Sequence, residues 1–89
     1  MVIKLIYCTE CHDVVALDIE LRECKCGACC GFYVNDLVAE VAGPCVVLGF
    51  DNRSLVYAVH RHNDRAPMGF EFTAFAVPDQ CPTVRREED

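Results

Sequence analysis

The sequence lacks tryptophan and is poor in basic residues, with eight Lys and Arg against 14 Asp and Glu and a formal net charge of −6. Such an excess of acid repels phosphate backbones, so a general nucleic-acid binder is not expected. Long apolar runs are also missing, and none approaches the roughly 20 residues that span a bilayer. The first apolar stretch is short and contains Lys4, which does not fit an export signal. We therefore expect a cytoplasmic protein with no membrane contact.

The motifs of common enzyme classes are missing as well. The sequence has no P-loop, no dinucleotide-binding fingerprint, no paired-carboxylate motif and no nucleophile beside a base. Glu71 lies in an aromatic segment, where a carboxylate at a strand edge or interface is a commoner role than a buried acid. We therefore predict no catalytic residues and no enzymatic activity.

Cysteine, in contrast, is abundant, with eight in 89 residues, a density typical of disulfide scaffolds and metal sites. In a reducing cytoplasm thiols bind metals or stay free, so disulfides are the less favoured interpretation. A chain of this length has a modest core and a total stability of roughly 4–13 kcal/mol. Structural zinc contributes about 10–16 kcal/mol in small peptides, so a metal can supply as much as the whole margin.

The cysteines nearest the N-terminus form two groups, which are Cys8 and Cys11, and then Cys24, Cys26, Cys29 and Cys30. Tetrahedral Zn²⁺ needs two thiolate pairs that face each other, and the residues between the groups fit a hairpin that brings the second pair back. All four positions would be filled by sulfur, so the metal would be structural rather than catalytic. The same four-sulfur cage also accepts Fe²⁺.

Spacing leaves the second pair open. Cys26 with Cys29 gives the usual ribbon spacing, whereas Cys24 with Cys26 gives a variant with Gly27 directly after the last ligand, where a turn needs positive φ. Cys45 begins an apolar strand and is expected to be a small buried residue. Cys81 is expected to be a free loop thiol or a packing residue.

Hydrophobic periodicity predicts an α+β fold, a single domain spanning residues 1–89. Residues 1–34 form a zinc-ribbon-like hairpin segment. Residues 35–89 supply a short antiparallel sheet, against which the hairpin packs, and one short helix near 54–62. The helix has Leu55, Ala58, Val59 and His62 on one face.

Two further segments have the period of a strand. Residues 15–21 alternate strictly between apolar and polar side chains, which predicts one strand or a hairpin that reverses near Asp18. Residues 70–77 are apolar on both faces, which predicts a central strand covered on both sides.

The chain also carries a series of short motifs. They are CxxCxDV from Cys8, CxCG from Cys24, GxYVxDxxA from Gly31, LGFxNxSL from Leu48 and FxAFxVPxxCPT from Phe72. In these motifs the sequence resembles a family of short uncharacterised bacterial and phage proteins over nearly its whole length. The resemblance implies no reaction. It implies that Cys24 and Cys26 complete the site with Cys8 and Cys11, so that Cys29 and Cys30 are extra thiols.

These features favour a non-enzymatic zinc module that binds another protein, as an adaptor or inhibitor. We expect the contact surface in residues 25–32 or on the helix face with Tyr57 and Arg61, and strand edges could instead pair two copies into a homodimer. The second hypothesis is a zinc-ribbon nucleic-acid reader that uses a patch of Arg53, Arg61 and Arg65. The first two lie in residues 52–63, a segment with basic but no acidic residues, and Arg65 follows just beyond it.

The third hypothesis is a thiol-redox protein, because a strand followed by CxxC also begins the thioredoxin and glutaredoxin folds. The reactive cysteine of those folds needs a helix N-terminus to lower its pKa. Residues 15–21 have the wrong period for that helix, which counts against redox catalysis.

Overall fold

Short strands form most of the regular secondary structure, and the two longest alternate in burial. The computed structural model describes residues 4–64 and 68–86. Within these ranges the elements are β1 Lys4–Cys8, β2 Val14–Ala16, β3 Arg22–Glu23, β4 Cys30–Tyr33, β5 Ala39–Ala42, β6 Cys45–Phe50, α1 Asn52–His60, β7 Ala74–Val77 and β8 Val84–Arg86. In β1 and β6 every second residue is buried, as expected for strands with one face on the core.

The strands form two four-stranded sheets. One has the order β2-β1-β6-β7 and is antiparallel, and the other has the order β3-β4-β5-β8, in which β8 runs parallel to β5. Together with the helix they confirm the predicted α+β class. None of the helical residues in the described ranges belongs to a segment long and apolar enough to span a bilayer.

The core lies where side chains of both sheets meet. Ile6 and Val47 from the first sheet share one buried cluster with Val41 and Val84 from the second. The chain passes from the second sheet to the first at the tight turn of Gly43 and Pro44, between β5 and β6. Gly43 has φ of +95°, and a Cβ at this position would clash with the Ala28 carbonyl oxygen. The turn therefore lies directly against the loop that carries the second cysteine group.

The prediction for residues 15–21 is only partly right. Val15 and Leu17 are buried as expected, but Ile19 and Leu21 are 79% and 57% exposed. The strand β2 ends at Ala16, and the chain then crosses to β3 in the other sheet, so the two halves do not pair as a hairpin. The alternation continues in sequence, but beyond Leu17 no second layer covers the apolar side.

The prediction of a central strand at residues 70–77 is wrong. Only Ala74–Val77 is a strand, it lies at an edge of its sheet, and most of its residues are exposed. The aromatic rings pack on one another instead of under a second layer. Phe72 makes an edge contact with Phe50 at 5.1 Å between ring centroids, and the Phe75 ring closely approaches Gly49.

The predicted helix begins and ends two residues earlier than expected, at Asn52 and His60. Its start is tied to the segment before β7, because the Ser54 hydroxyl donates to the Asp51 carbonyl oxygen and accepts from the Thr73 amide. Of the helical residues only Ala58 is buried. Val59, which the periodicity placed on the inner face, is more than half exposed.

Candidate metal centre

The first pair of cysteines lies in the turn between β1 and β2. Cys8 is the last residue of β1 and is fully buried, and the Cys11 amide donates to its sulfur at 3.4 Å. The His12 amide closes the turn by donating to the Cys8 carbonyl oxygen at 2.9 Å, and His12 itself has φ of 62°. The backbone thus bends tightly around the Cys8 sulfur.

The second group lies in the loop between β3 and β4. The Gly27 amide donates to the Cys24 carbonyl oxygen at 3.0 Å, and Gly27 has the positive φ, +79°, that its place in the sequence suggested. The Cys29 amide donates to the Cys24 sulfur at 3.3 Å. This loop therefore repeats the arrangement of the first turn, in which a backbone amide points at the first sulfur.

Asp13 connects the two cysteine loops, a role that the sequence analysis missed. Its carboxylate accepts from the Lys25 amide at 2.8 Å, and its carbonyl oxygen accepts from the Cys8 amide at 3.0 Å. An aspartate two residues after a CxxC pair is the only trace of this bridge in the sequence, and it does not reveal the long-range partner. Asp13 therefore holds the two pairs of sulfurs in register.

The sulfurs of Cys8, Cys11, Cys24 and Cys26 all lie within 4.8 Å of one another. The Cys8 and Cys26 sulfurs are 3.8 Å apart, and those of Cys24 and Cys26 are 3.5 Å apart. Four sulfurs placed about 2.3 Å from a central ion at tetrahedral angles are about 3.8 Å apart. The observed spacing fits this value, so the four cysteines can hold one metal ion.

The thiols of Cys8, Cys24 and Cys26 differ in acidity. Amide donation from Cys11 lowers the pKa of Cys8 against the opposing effect of its burial. Burial also acts to raise the pKa of Cys24, but the Cys29 amide and the neighbouring thiols outweigh it and lower that pKa to about 6. The Ala28 amide acts to lower the pKa of Cys26, but this thiol donates to the others, and its pKa is raised to about 12. The site thus favours thiolates at its two buried sulfurs.

Cys29, the alternative member of the second pair, lies outside this group of four. Its side chain is fully buried, and burial raises its pKa, followed by hydrogen bonding of its thiol to Cys8. Cys29 thus contacts Cys8, but the group of four sulfurs within 4.8 Å of one another contains Cys24 and not Cys29. Cys45 faces Cys8 across β1 and β6 and is buried, as expected from its sequence context.

Two further features lie near the CxxC turn. His12 is exposed, and its Nδ1 lies 2.6 Å from the Tyr7 hydroxyl rather than among the sulfurs. The turn leads into the strand β2, so no helix N-terminus faces Cys8 or Cys11. The feature that lowers the pKa of the reactive cysteine in the thioredoxin fold is therefore missing from this turn.

In comparisons with known proteins, no family model, curated protein or solved structure matches the chain. The family resemblance of the sequence motifs therefore stays a prediction.

Proposed function

We propose that the four cysteines bind one structural Zn²⁺ and that the protein acts by binding another protein. The observation that carries the metal assignment is the spacing of the four sulfurs, which fits a tetrahedral ion. Thiolates are soft ligands that select zinc over magnesium or calcium. A metal in this site would join the β1–β2 turn to the β3–β4 loop and would leave no open position for a substrate.

The metal assignment is tested by elemental analysis and native mass spectrometry of the purified chain, with cysteine variants as comparison. We expect one zinc per chain, lost in Cys24→Ser and kept in Cys30→Ser, which removes a half-buried thiol outside the group of four. Metal lost from Cys29→Ser but kept in Cys24→Ser would instead establish the alternative pair. Iron in place of zinc would contradict the choice of metal but not the site.

The protein-binding role is supported by one exposed surface, formed by Val56, Tyr57, Val59 and Arg61, which we call the helix surface. The three apolar side chains are each more than half exposed, and the Arg61 guanidinium lies 5.0 Å from the Tyr57 ring centroid. The Phe70 ring makes an edge contact with the Tyr57 ring, with 5.4 Å between the ring centroids. Tyrosine and arginine are enriched in the centres of protein interfaces.

Charge indicates the kind of partner. The chain is acidic overall, but residues 52–63 contain basic residues and no acidic ones. Arg53 and Arg61 are both exposed. An acidic patch with an apolar centre on the partner would complement this surface.

The test is affinity capture from the native host, with the tagged chain and four variants compared side by side. We expect Tyr57→Ala and Arg61→Ala to lose the captured protein, and Arg22→Ala, an exposed arginine on β3, to keep it. Capture that is unchanged in both helix variants would contradict the helix surface as the binding site. If Lys25→Ala alone loses the partner, the loop of residues 25–32 is the contact instead.

Nucleic-acid binding is the second candidate, and the basic helix segment is the observation that favours it. Three arginines in the described ranges are already paired, Arg22 with Asp18 at 3.9 Å, Arg61 with Asp64 at 3.6 Å and Arg86 with Asp79 at 3.1 Å. Arg65, the third arginine of the predicted patch, lies outside the described residues. Such pairing reduces the positive potential available to phosphates. Retention on DNA or RNA columns that falls with added salt would support this role, and no retention at low salt would remove it.

A further inference from the structure

A second site lies between the two sheets, at the end opposite the cysteines. It is a cleft of about 260 Å³ whose walls are mainly apolar. Phe75, Val77 and Pro78 form one side, and Leu37 and Thr83 contribute the other. A cavity of about 150 Å³ is large enough for benzene, so this cleft has room for an aromatic ring with a polar substituent.

One charged side chain lies in the wall of the cleft. Lys4 faces inward from β1 and is only 5% exposed. Its ammonium group donates to the Leu37 carbonyl oxygen at 3.1 Å and lies 5.9 Å from the Tyr33 ring centroid. No carboxylate within residues 4–64 and 68–86 lies in ion-pair distance of it.

A buried ammonium with no counter-charge is costly, and burial is tolerated best when an anion is paired with it. An ammonium has three N–H donors, of which the Leu37 carbonyl takes one. The other two can serve a bound anion. An apolar wall with one buried cation is the combination that recognises an apolar molecule with a single negative charge.

The lining of the cleft also contains a polar pair, Cys81 and Thr83. The Cys81 sulfur lies 3.3 Å from the Thr83 hydroxyl. Hydrogen bonding from Thr83 lowers the pKa of Cys81, and the positive charge of Lys4 acts in the same direction.

We propose that this cleft binds a small carboxylate with an apolar body of about the size of benzoate, whose carboxylate pairs with Lys4 while its ring packs on Phe75 and Val77. The site is separate from the helix surface and from the metal centre. Lys4 and Cys8 are at opposite ends of β1, about 13 Å apart at roughly 3.3 Å per residue. The proposal therefore does not depend on the proposed function.

The test is a titration of the chain with benzoate and, as the control, with benzamide, a neutral molecule of similar shape. Binding is monitored through amide chemical shifts in ¹H–¹⁵N NMR spectra. Ligand is added to about 10 mM, where a millimolar binder approaches saturation. We expect saturable shifts for benzoate at Lys4, Leu37 and Val77, and at least about tenfold weaker binding of benzamide, because it lacks the charge-assisted bond. This comparison needs no substitution and decides the proposal even if a variant fails to fold.

The two lysines of the chain provide a matched pair of variants. Lys4→Met keeps the length of the side chain but removes the charge, and it should weaken benzoate binding at least about tenfold. Lys25→Met, at an exposed position, should leave it unchanged. The proposal would be overturned if benzoate and benzamide bound equally well, or if Lys4→Met bound benzoate as well as the unchanged chain does. It would also be overturned if the shifts were confined to the arginines of the helix surface, or if they did not saturate.

Discussion

The cysteine loops and the helix–β7 region are held in place in different ways. Around the cysteines, Cys8, Cys24 and Cys29 are buried, and backbone amides are directed at the sulfurs. From Asn52 to Val77 only Ala58 is buried among the described residues, and aromatic side chains meet edge to face near the surface. The first region is organised around a site that can hold an ion, and the second around exposed rings.

This difference indicates that the cysteine loops contribute mainly to stability and that the helix–β7 region is available for recognition. Nearly all residues of the buried cluster come from positions 6–47, with Val84 as the addition from β8. Residues that bury little contribute little to the free energy of unfolding and are free to contact a partner. We therefore expect changes near the cysteines to affect folding, and changes on the helix surface to affect binding.

Removing the metal should have the largest effect. Structural zinc contributes about 10–16 kcal/mol in small peptides, comparable with the roughly 4–13 kcal/mol expected for a domain of this size. A strong chelator under reducing conditions should abolish the dispersed amide spectrum of β1 to β6 and the cooperative thermal transition. Added Zn²⁺ should restore both. A metal-free chain that keeps its full spectrum and melting temperature would show that the cysteine loops fold without an ion.

A pair of glycines compares the two regions directly. The Cβ added by Gly43→Ala would clash with the Ala28 carbonyl oxygen next to the cysteines, whereas a Cβ at Gly69 has nothing within 4 Å. Both glycines have positive φ, of +95° and +86°, so both substitutions incur a backbone cost of about 1–2 kcal/mol. Gly43→Ala adds overpacking of about 1–3 kcal/mol. In urea unfolding of the metal-bound chain, Gly43→Ala should have a clearly lower midpoint than Gly69→Ala. Equal midpoints would contradict the difference between the two regions.

The sequence predicted the cysteine region better than the remainder, and particular residues explain why. The CxxC pair and Gly27 are local features, since a tight turn and its positive φ depend on residues close in the chain. The choice between Cys24 and Cys29 depends on how the loop is oriented against the β1–β2 turn. The Asp13 bond to the Lys25 amide spans twelve positions, and such a contact leaves no periodic pattern in the sequence.

The error at residues 70–77 has a different cause. Phe72, Phe75 and Val77 are apolar, and a strand of apolar residues on both faces is normally central. Periodicity indicates which side chains share a face but not whether another layer exists to cover it. Here the helix buries only Ala58, and among the described strands β7 pairs with β6 alone. Ile19 and Leu21 are exposed for the same reason.

A comparison of two aspartates tests whether Asp13 holds the cysteine loops together. Asp13→Ala removes the acceptor of the Lys25 amide and should destabilise the metal-bound chain by about 1.5–3 kcal/mol, the usual range for a hydrogen bond to a charged group. Asp64→Ala removes the exposed pair with Arg61 and should cost less than about 1 kcal/mol. The measurement is urea unfolding, together with zinc competition against a chelator. Metal affinity should fall only for Asp13→Ala, and unchanged affinity would mean that the bond does not position the sulfurs.

The smallest effect on stability is expected on the helix surface. Val59→Thr replaces a side chain that is more than half exposed, and the unfolding free energy should change by less than about 0.5 kcal/mol. Val47→Thr, the matched change at a buried position of β6, places a hydroxyl in the core and should cost about 1–3 kcal/mol. Thermal and urea unfolding of the two variants measure the difference. A large loss of stability in Val59→Thr would mean that the helix is anchored through this face, and the separation of a folding region from a binding region would then fail.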